Sequence, residues 1–214
     1  MKTTVYLIRH SLKFSSHNIK SFNTTQNEIL RSEKVVLSVE GEERAKKLSE
    51  FEELNNIDVV YASNCVRTLE TAKYLLDKQG LKVNIDDRLD ERRFGKPNSD
   101  KYPDWFRMQY FDPTFKTENG ESQEEVRKRM DEVFNEIINN NRGKRIAIFS
   151  HGYAITFFIM KWVKLVSLTE DRKYTFEFNN KIFYDKHLDA PEVFKLIIDE
   201  NNNLENIEYI QFIK

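Results

Sequence analysis

Thr3-Thr4-Val5-Tyr6-Leu7-Ile8-Arg9-His10-Ser11 lies at the start of the chain. β-Branched and aromatic residues fill positions 3 to 8, so the pattern predicts a strand. The run stops at an arginine and a histidine, placing two chemically capable side chains where strand becomes loop. A second stretch of the same construction lies far downstream. Residues 145–149 (Arg-Ile-Ala-Ile-Phe) predict a strand, and Ser150-His151-Gly152 leads from it into an apolar segment, 154–166, read as a core helix.

Working outward, strands and helices alternate. Ser38 opens a helix carrying Ala45, Leu48, Phe51 and Leu54 at helical spacing. Residues 57–62 predict a short strand. Ser63 or Asn64 is the expected cap of a helix that runs through Val66, Leu69, Ala72 and Leu75 to a stop at Gly80. Residues 82–85 predict another short strand, and 121–139 an amphipathic helix on Val126, Met130, Val133, Phe134 and Ile137. The tail reads as two or three strands (174–178, 193–198 and 207–212), with Asn201 to Asn203 turning a hairpin. This alternation predicts an α/β protein: a three-layer α/β/α sandwich with a mostly parallel central sheet. Residues 86–120, with Pro97, Pro103 and Pro113, read as an irregular or helical insertion over the active-site face, its cap at about 92–120. Residues 11–34 read as a long loop. No repeat or linker divides the chain, so 1–214 is expected to be a single domain.

The 214 residues include 34 Lys and Arg against 35 Asp and Glu, for a formal charge of −1. That balance gives no reason to expect a nucleic-acid partner or a membrane surface. The single cysteine, Cys65, excludes an intramolecular disulfide and fits a cytoplasmic location. The N-terminus lacks the apolar core of a signal peptide, and no uncharged apolar run is long enough to span a bilayer.

In open α/β sheets ligands sit at the carboxyl ends of the strands. Arg9-His10, the segment 63–67 and Ser150-His151 each follow a predicted strand, so they are expected to converge. Arginine forks grip a phosphate bidentately, which suits Arg9 and Arg67. A neutral His10 can act as a nucleophile, with one ring nitrogen fixed so that the other is free. His151 is expected to donate to the oxygens of a transferring phosphoryl group, and the helix N-terminus at Gly152 to add backbone N–H donors. Glu91 is the candidate proton donor, in competition with Asp86, Asp87 and Asp90. Arg92 and Arg93 suit either a substrate anion or solvent. Trp105, Phe106, Tyr110 and Phe111 suit a pocket roof or a small core of their own. Glu121 and Ser122 suit helix capping, and His17 and His187 loop positions. No Cys or His clustering in the sequence suggests zinc.

These blocks together resemble the histidine phosphatase superfamily, also called the phosphoglycerate mutase-like family. Leu7-Ile8-Arg9-His10-Ser11 is similar to its Arg-His-Gly signature, with Ser in place of Gly. Leu37-Ser38-Val39-Glu40-Gly41 resembles the Leu-Ser-x-x-Gly helix start, and Ser63 to Ala72 the Ser-x-x-x-Arg-x-x-x-Thr-Ala block. Leu89-Asp90-Glu91-Arg92, Gly120-Glu121-Ser122 and Ser150-His151-Gly152 are similar to three later blocks, in the family's order. The resemblance implies a phosphatase acting on a small phosphorylated metabolite through a phosphohistidine at His10. It implies Arg9, Arg67 and His151 as the phosphate pocket, Glu91 as proton donor, and no metal or organic cofactor. A homodimer is left open. The alternatives are mutase-type phosphoryl transfer and an inactive phospho-ligand binder. Two departures stand out. Ser11 replaces Gly, which matters if the backbone there requires φ > 0. Residues 12–18 lack the usual phosphate ligands, for which Ser15, Ser16 or Asn18 are the substitutes.

Overall fold

The structure is a computed structural model that describes residues 1–14 and 32–211. β1 (Thr3–Arg9), β2 (Val59–Ala62), β3 (Val83–Ile85) and β4 (Arg145–Ser150) form the parallel part of a six-stranded sheet. β8 (Glu192–Ile198) and β9 (Leu204–Ile210) extend it antiparallel, giving the order β3-β2-β4-β1-β8-β9. Among the described residues the α-helices are α1 (Val39–Ser49), α2 (Val66–Gln79), α3 (Trp105–Phe111), α4 (Gln123–Asn140) and α5 (Gly152–Ile159).

β1 sits inside the sheet, so both of its faces are buried. Val5 and Leu7 pack with Met130 and Phe134 of α4 and with Ile155 and Phe158 of α5. Tyr6 and Ile8 point the opposite way, toward Leu48 of α1 and Ala72 and Leu75 of α2. Each apolar side chain removed from water in this way contributes about 1.5–3 kcal/mol before conformational entropy is counted. The two cores make the three layers expected from the sequence.

Several boundaries fall as the sequence implies. Ser38 accepts a hydrogen bond from the Gly41 N–H and caps α1. Gly80 ends α2 in the left-handed conformation, φ 64°. Ser122 and Glu125 form a reciprocal capping box at the start of α4. The cap of α2 differs from expectation: it is Cys65, not Ser63 or Asn64, because the Ser63 hydroxyl is turned toward His151.

The C-terminal third departs most. The expected helix over 154–166 ends at Ile159, and Lys164–Leu168 forms β5. β5 pairs with β6 (Lys173–Phe178), and β6 with β7 (Lys181–His187), in a second, antiparallel sheet. An unbroken apolar run hides a change of period, so helix and strand read alike there. β7 was absent from the expectation because its charged residues occupy an exposed edge. The turn before it, Asn179-Asn180, has positive φ at both residues, which marks a tight hairpin. The insertion contains α3, whose Tyr110 packs on Phe157 of α5 with ring centroids 5.1 Å apart. Tyr110 therefore joins a main core, and Phe111 is left exposed.

Candidate active site

The site is built where β1, β2 and β4 end. The Arg9↔Ser150 register places Arg9-His10 beside Ser150-His151. The imidazoles of His10 and His151 meet edge to face, with centroids 5.2 Å apart. His10 is 6% exposed and His151 is fully enclosed. The His10 Nδ1 lies 2.7 Å from the Ser11 carbonyl oxygen. A carbonyl only accepts, so Nδ1 carries the hydrogen and Nε2 keeps a lone pair. Burial first, then the charges of Arg67 and Arg9, hold His10 well below the ordinary imidazole value.

His151 has the opposite tautomer. Its Nδ1 lies 2.9 Å from an Arg67 Nη2, and arginine only donates, so this nitrogen is unprotonated. Its Nε2 then donates to the Ser63 hydroxyl at 2.8 Å. Burial, followed by Arg67 and His10, holds His151 neutral as well. Both of its nitrogens have protein partners. Donation to a phosphoryl oxygen, as expected from the sequence, therefore requires an exchange of one of these contacts.

The guanidinium groups are partly unspent. Arg67, 4% exposed in the first turn of α2, also donates to the Ser32 carbonyl, yet its Nε is buried without a partner. Arg9 donates through Nη1 to the Asp189 carbonyl at 2.7 Å, and its Nε is buried and unpartnered too. Buried polar groups are ordinarily paired; these two guanidinium N–H groups lie on the arginines flanking the two imidazoles, and Arg92 and Arg145 hold unpartnered N–H groups as well. Gly152 leaves the space that Arg9 fills: a Cβ there would lie 3.1 Å from the Arg9 Nε.

The sequence blocks acquire physical reasons here. Ser11 is absent from the positive-φ residues, so no glycine is required. Its hydroxyl donates to the Gly41 carbonyl at 2.7 Å, and its N–H to the Thr71 hydroxyl at 2.9 Å. A Cβ on Gly41 would lie 2.0 Å from the Leu12 carbonyl oxygen, which explains that glycine. The Ser150 hydroxyl donates to the Leu89 carbonyl at 2.7 Å, tying the second histidine to the turn that bears Glu91.

Glu91 faces the N-terminus of α5, accepting from the Ala154 N–H at 3.0 Å and the Tyr153 N–H at 3.4 Å. A role as proton donor needs a proton on the lone pairs these amides leave free. Its turn is clamped by Arg129, which donates to the Arg88 and Asp90 carbonyls at 2.8 Å each and to Glu121 at 2.9 Å. Burial acts to raise the Glu121 carboxyl, and Arg129 and Arg93 together hold it below the usual carboxylate value. Glu121 is therefore a clamp partner, and Ser122 is the helix cap.

Other expectations resolve differently. Ser16, with Ser15, His17 and Asn18, lies outside the described residues. Arg92 is 2% exposed between the Phe94 and Phe157 rings, its Nε donating to the Glu121 carbonyl. It is a buried group and not a solvated charge, whereas Arg93 is exposed. His187 pairs with Asp171 on the surface. Cys65 packs beside the site, its thiol pushed up to about 11 by burial. Cys65, Asp90 and His151 bring ligand-type atoms within 4.8 Å of one another, a grouping that spacing did not reveal. The engaged His151 nitrogens and the Arg67 charge beside them make it a poor cation site. Ser63, Thr71 and Arg129 were missed as functional positions. Only the Ser-x-x-x-Arg-x-x-x-Thr spacing carried a signal for the first two.

Residues 5–180 match the family model of the histidine phosphatase superfamily, branch 1. A mycobacterial glucosyl-3-phosphoglycerate phosphatase is similar in structure at 17% identity and TM-score 0.68, covering 98% of this chain and 97% of that one. Bacillus stearothermophilus YhfR has 18% identity and TM-score 0.70, covering 99% and 100%. A phosphoserine phosphatase variant from Entamoeba histolytica, in complex with phosphoserine, has 16% identity and TM-score 0.64, covering 99% and 100%. A search of curated proteins finds no match. The TM-scores establish a common fold, and the family match over residues 5–180 carries the assignment. The chain belongs to branch 1 of the histidine phosphatase superfamily.

Proposed function

We propose that this protein hydrolyses the phosphate monoester of a small metabolite, with His10 as the nucleophile. The observation that carries the reading is the pinned His10 ring. With Nδ1 held by the Ser11 carbonyl, the Nε2 lone pair is free, and burial beside two arginines keeps it unprotonated.

In this reading Arg9, Arg67 and the Gly152 helix N-terminus hold the phosphoryl oxygens. Nε2 forms a bond to phosphorus as the ester P–O bond breaks. Glu91 gives its proton to the departing oxygen, and the alcohol leaves. Water then attacks the phosphohistidine, Glu91 takes a proton from it, and inorganic phosphate is released. A positioned acid of this kind is worth about 10²–10⁴-fold, and His151 steadies the charge that builds on the oxygens.

The names of similar structures support a small phosphorylated substrate, since they include phosphatases for glucosyl-3-phosphoglycerate and phosphoserine. Arg107 supports hydrolysis over mutase transfer. The nearest match to a mutase's paired arginines, it is spent on the Leu168 carbonyl, Asp104 and the Phe111 ring. We read the chain as one working unit. A cytoplasmic location is supported by its lone, buried, free cysteine; among the described residues no helix is long and apolar enough to cross a membrane.

The test is phosphate release over a panel of sugar phosphates, phosphoglycerates, nucleotides and phosphoamino acids, with a His10→Ala control. Turnover lost in the control supports the reading. Dominant interconversion of phosphoglycerates, or tight binding without turnover, contradicts it.

A further inference from the structure

Glu192 is 2% exposed and directly opposite Arg9 on the antiparallel β1–β8 ladder. Directly paired residues point to the same face of a sheet, so this carboxyl shares its side with the Arg9 guanidinium. No hydrogen bond joins the two among the described contacts. Glu192 instead meets the Tyr184 hydroxyl of β7, 2.5 Å from Oε1. The same hydroxyl lies 2.9 Å from the His187 carbonyl oxygen.

A phenol has one hydrogen, and a carbonyl can only accept. If Glu192 is ionised, Tyr184 has two acceptors and one hydrogen, and one contact goes unsupported. If Glu192 carries a proton, its O–H donates to Tyr184 Oη, and Tyr184 donates to His187. Both contacts are then hydrogen bonds. The geometry therefore favours the neutral carboxyl. Burial acts in the same direction and pushes Glu192 up to about 7, against Tyr184, Arg9 and the Asp189 backbone. The other charged and titratable groups that face it are Tyr209 on β9 and the Asp189 carboxylate. Asp189 is itself paired with Arg44 of α1 at 3.0 Å.

We propose that Glu192 is a positioning residue that sets how strongly Arg9 holds phosphate. Protonated, it leaves the Arg9 charge to the bound phosphoryl group. On losing its proton to solvent it draws that charge toward β8 and places a negative charge beside a dianion. The proposal rests on the assignment of Arg9 to the phosphate pocket made above. The unpartnered Arg9 Nε is the donor whose use is at stake.

The test compares wild type with Glu192→Gln, which is neutral at every pH and keeps a hydrogen-bonding side chain. The probe is p-nitrophenyl phosphate, because inorganic phosphate itself titrates near neutrality. From about pH 6 to about pH 8 the wild-type KM is expected to rise on the order of fivefold, the size of one screened charge interaction. In Glu192→Gln the KM stays at the wild-type low-pH value, and kcat changes little in either protein. Parallel KM profiles, or a KM raised at every pH in the variant, overturn the proposal.

Infrared difference spectroscopy of the wild type against Glu192→Gln gives a readout independent of turnover. Asp90, which burial pushes up to about 6, and Glu91, the proton donor of the mechanism, contribute carbonyl stretches of their own, so the band that counts is the one missing from Glu192→Gln, and it is expected to vanish between about pH 6 and about pH 8. Its absence at the lower pH overturns the proposal. Failure of the wild type to turn over any ester while that stretch titrates counts against the phosphatase reading and leaves the Glu192 titration standing.

Discussion

The rings of His10 and His151 lie edge to face at an interplanar angle of 64°, and their hydrogen-bond partners require opposite tautomers. His10 carries its hydrogen on Nδ1 because the Ser11 carbonyl needs a donor. His151 carries its own on Nε2 because Arg67 can only donate. Two uncharged imidazoles in contact avoid the repulsion that a pair of imidazolium ions would suffer.

Both histidines have lowered pKa values, so each stays uncharged from neutral pH down past the ordinary value of about 6.5. Long-range ¹H–¹⁵N NMR correlations should show an Nδ1–H form for His10 and an Nε2–H form for His151, with neither ring titrating near the ordinary value. Imidazolium signals at neutral pH, or exchanged tautomers, would contradict this arrangement.

Gly152→Ala places a methyl group 3.1 Å from the Arg9 Nε. The end of a side chain gives way more readily than backbone, so the fold should survive while Arg9 is displaced. The expected outcome is a weakening of phosphate binding by about 1 kcal/mol, roughly fivefold, with little change in thermal stability. Calorimetric titration with inorganic phosphate measures it, and an unchanged affinity would remove Arg9 from the pocket.

Glu121→Ala removes the partner of Arg129 and an acceptor for the Arg93 N–H. A charge left alone in a mostly buried setting costs about 3 kcal/mol. Because Arg129 also grips the Asp90 carbonyl next to Glu91, activity should fall along with stability. Urea unfolding and kcat measured on the same preparation test the pair of effects. A stable variant with full activity would show that the clamp is dispensable.

Glu91→Gln keeps one acceptor oxygen for the closer Ala154 amide, gives up the longer contact to Tyr153, and cannot give up a proton. With alkyl phosphates, whose leaving group needs protonation, kcat should drop by about 10²–10⁴-fold. With p-nitrophenyl phosphate, whose leaving group departs unaided, bond cleavage should change much less. Equal losses on both substrates would assign Glu91 a purely structural role.

The sheet and the meeting of the two histidines were legible because they rest on short-range patterns. An apolar run ending in Arg9-His10, and another ending in Ser150-His151, already specify two strands with polar ends, and ligands gather at the carboxyl ends of such strands. The partners of these residues were not legible. Thr71 bonds the Ser11 N–H across 60 positions and Ser63 meets His151 across 88; no periodicity encodes such pairings. Glu192 read as one acid among many until the β1–β8 register set it opposite Arg9. The second sheet was hidden because its residues alternate weakly and carry charge at the edge. Ser11 was read as a departure from Gly, and its role emerged only when the Gly41 carbonyl supplied the acceptor.

The central claim is that the phosphoryl group passes through the Nε2 of His10. Rapid quenching of the enzyme with a ³²P-labelled monoester, followed by peptide mapping under alkaline conditions, tests it most directly. The account predicts an acid-labile label on the peptide containing His10, formed within one turnover and absent from His10→Ala. A label on another residue, or steady turnover with no covalent label at any time, would contradict it.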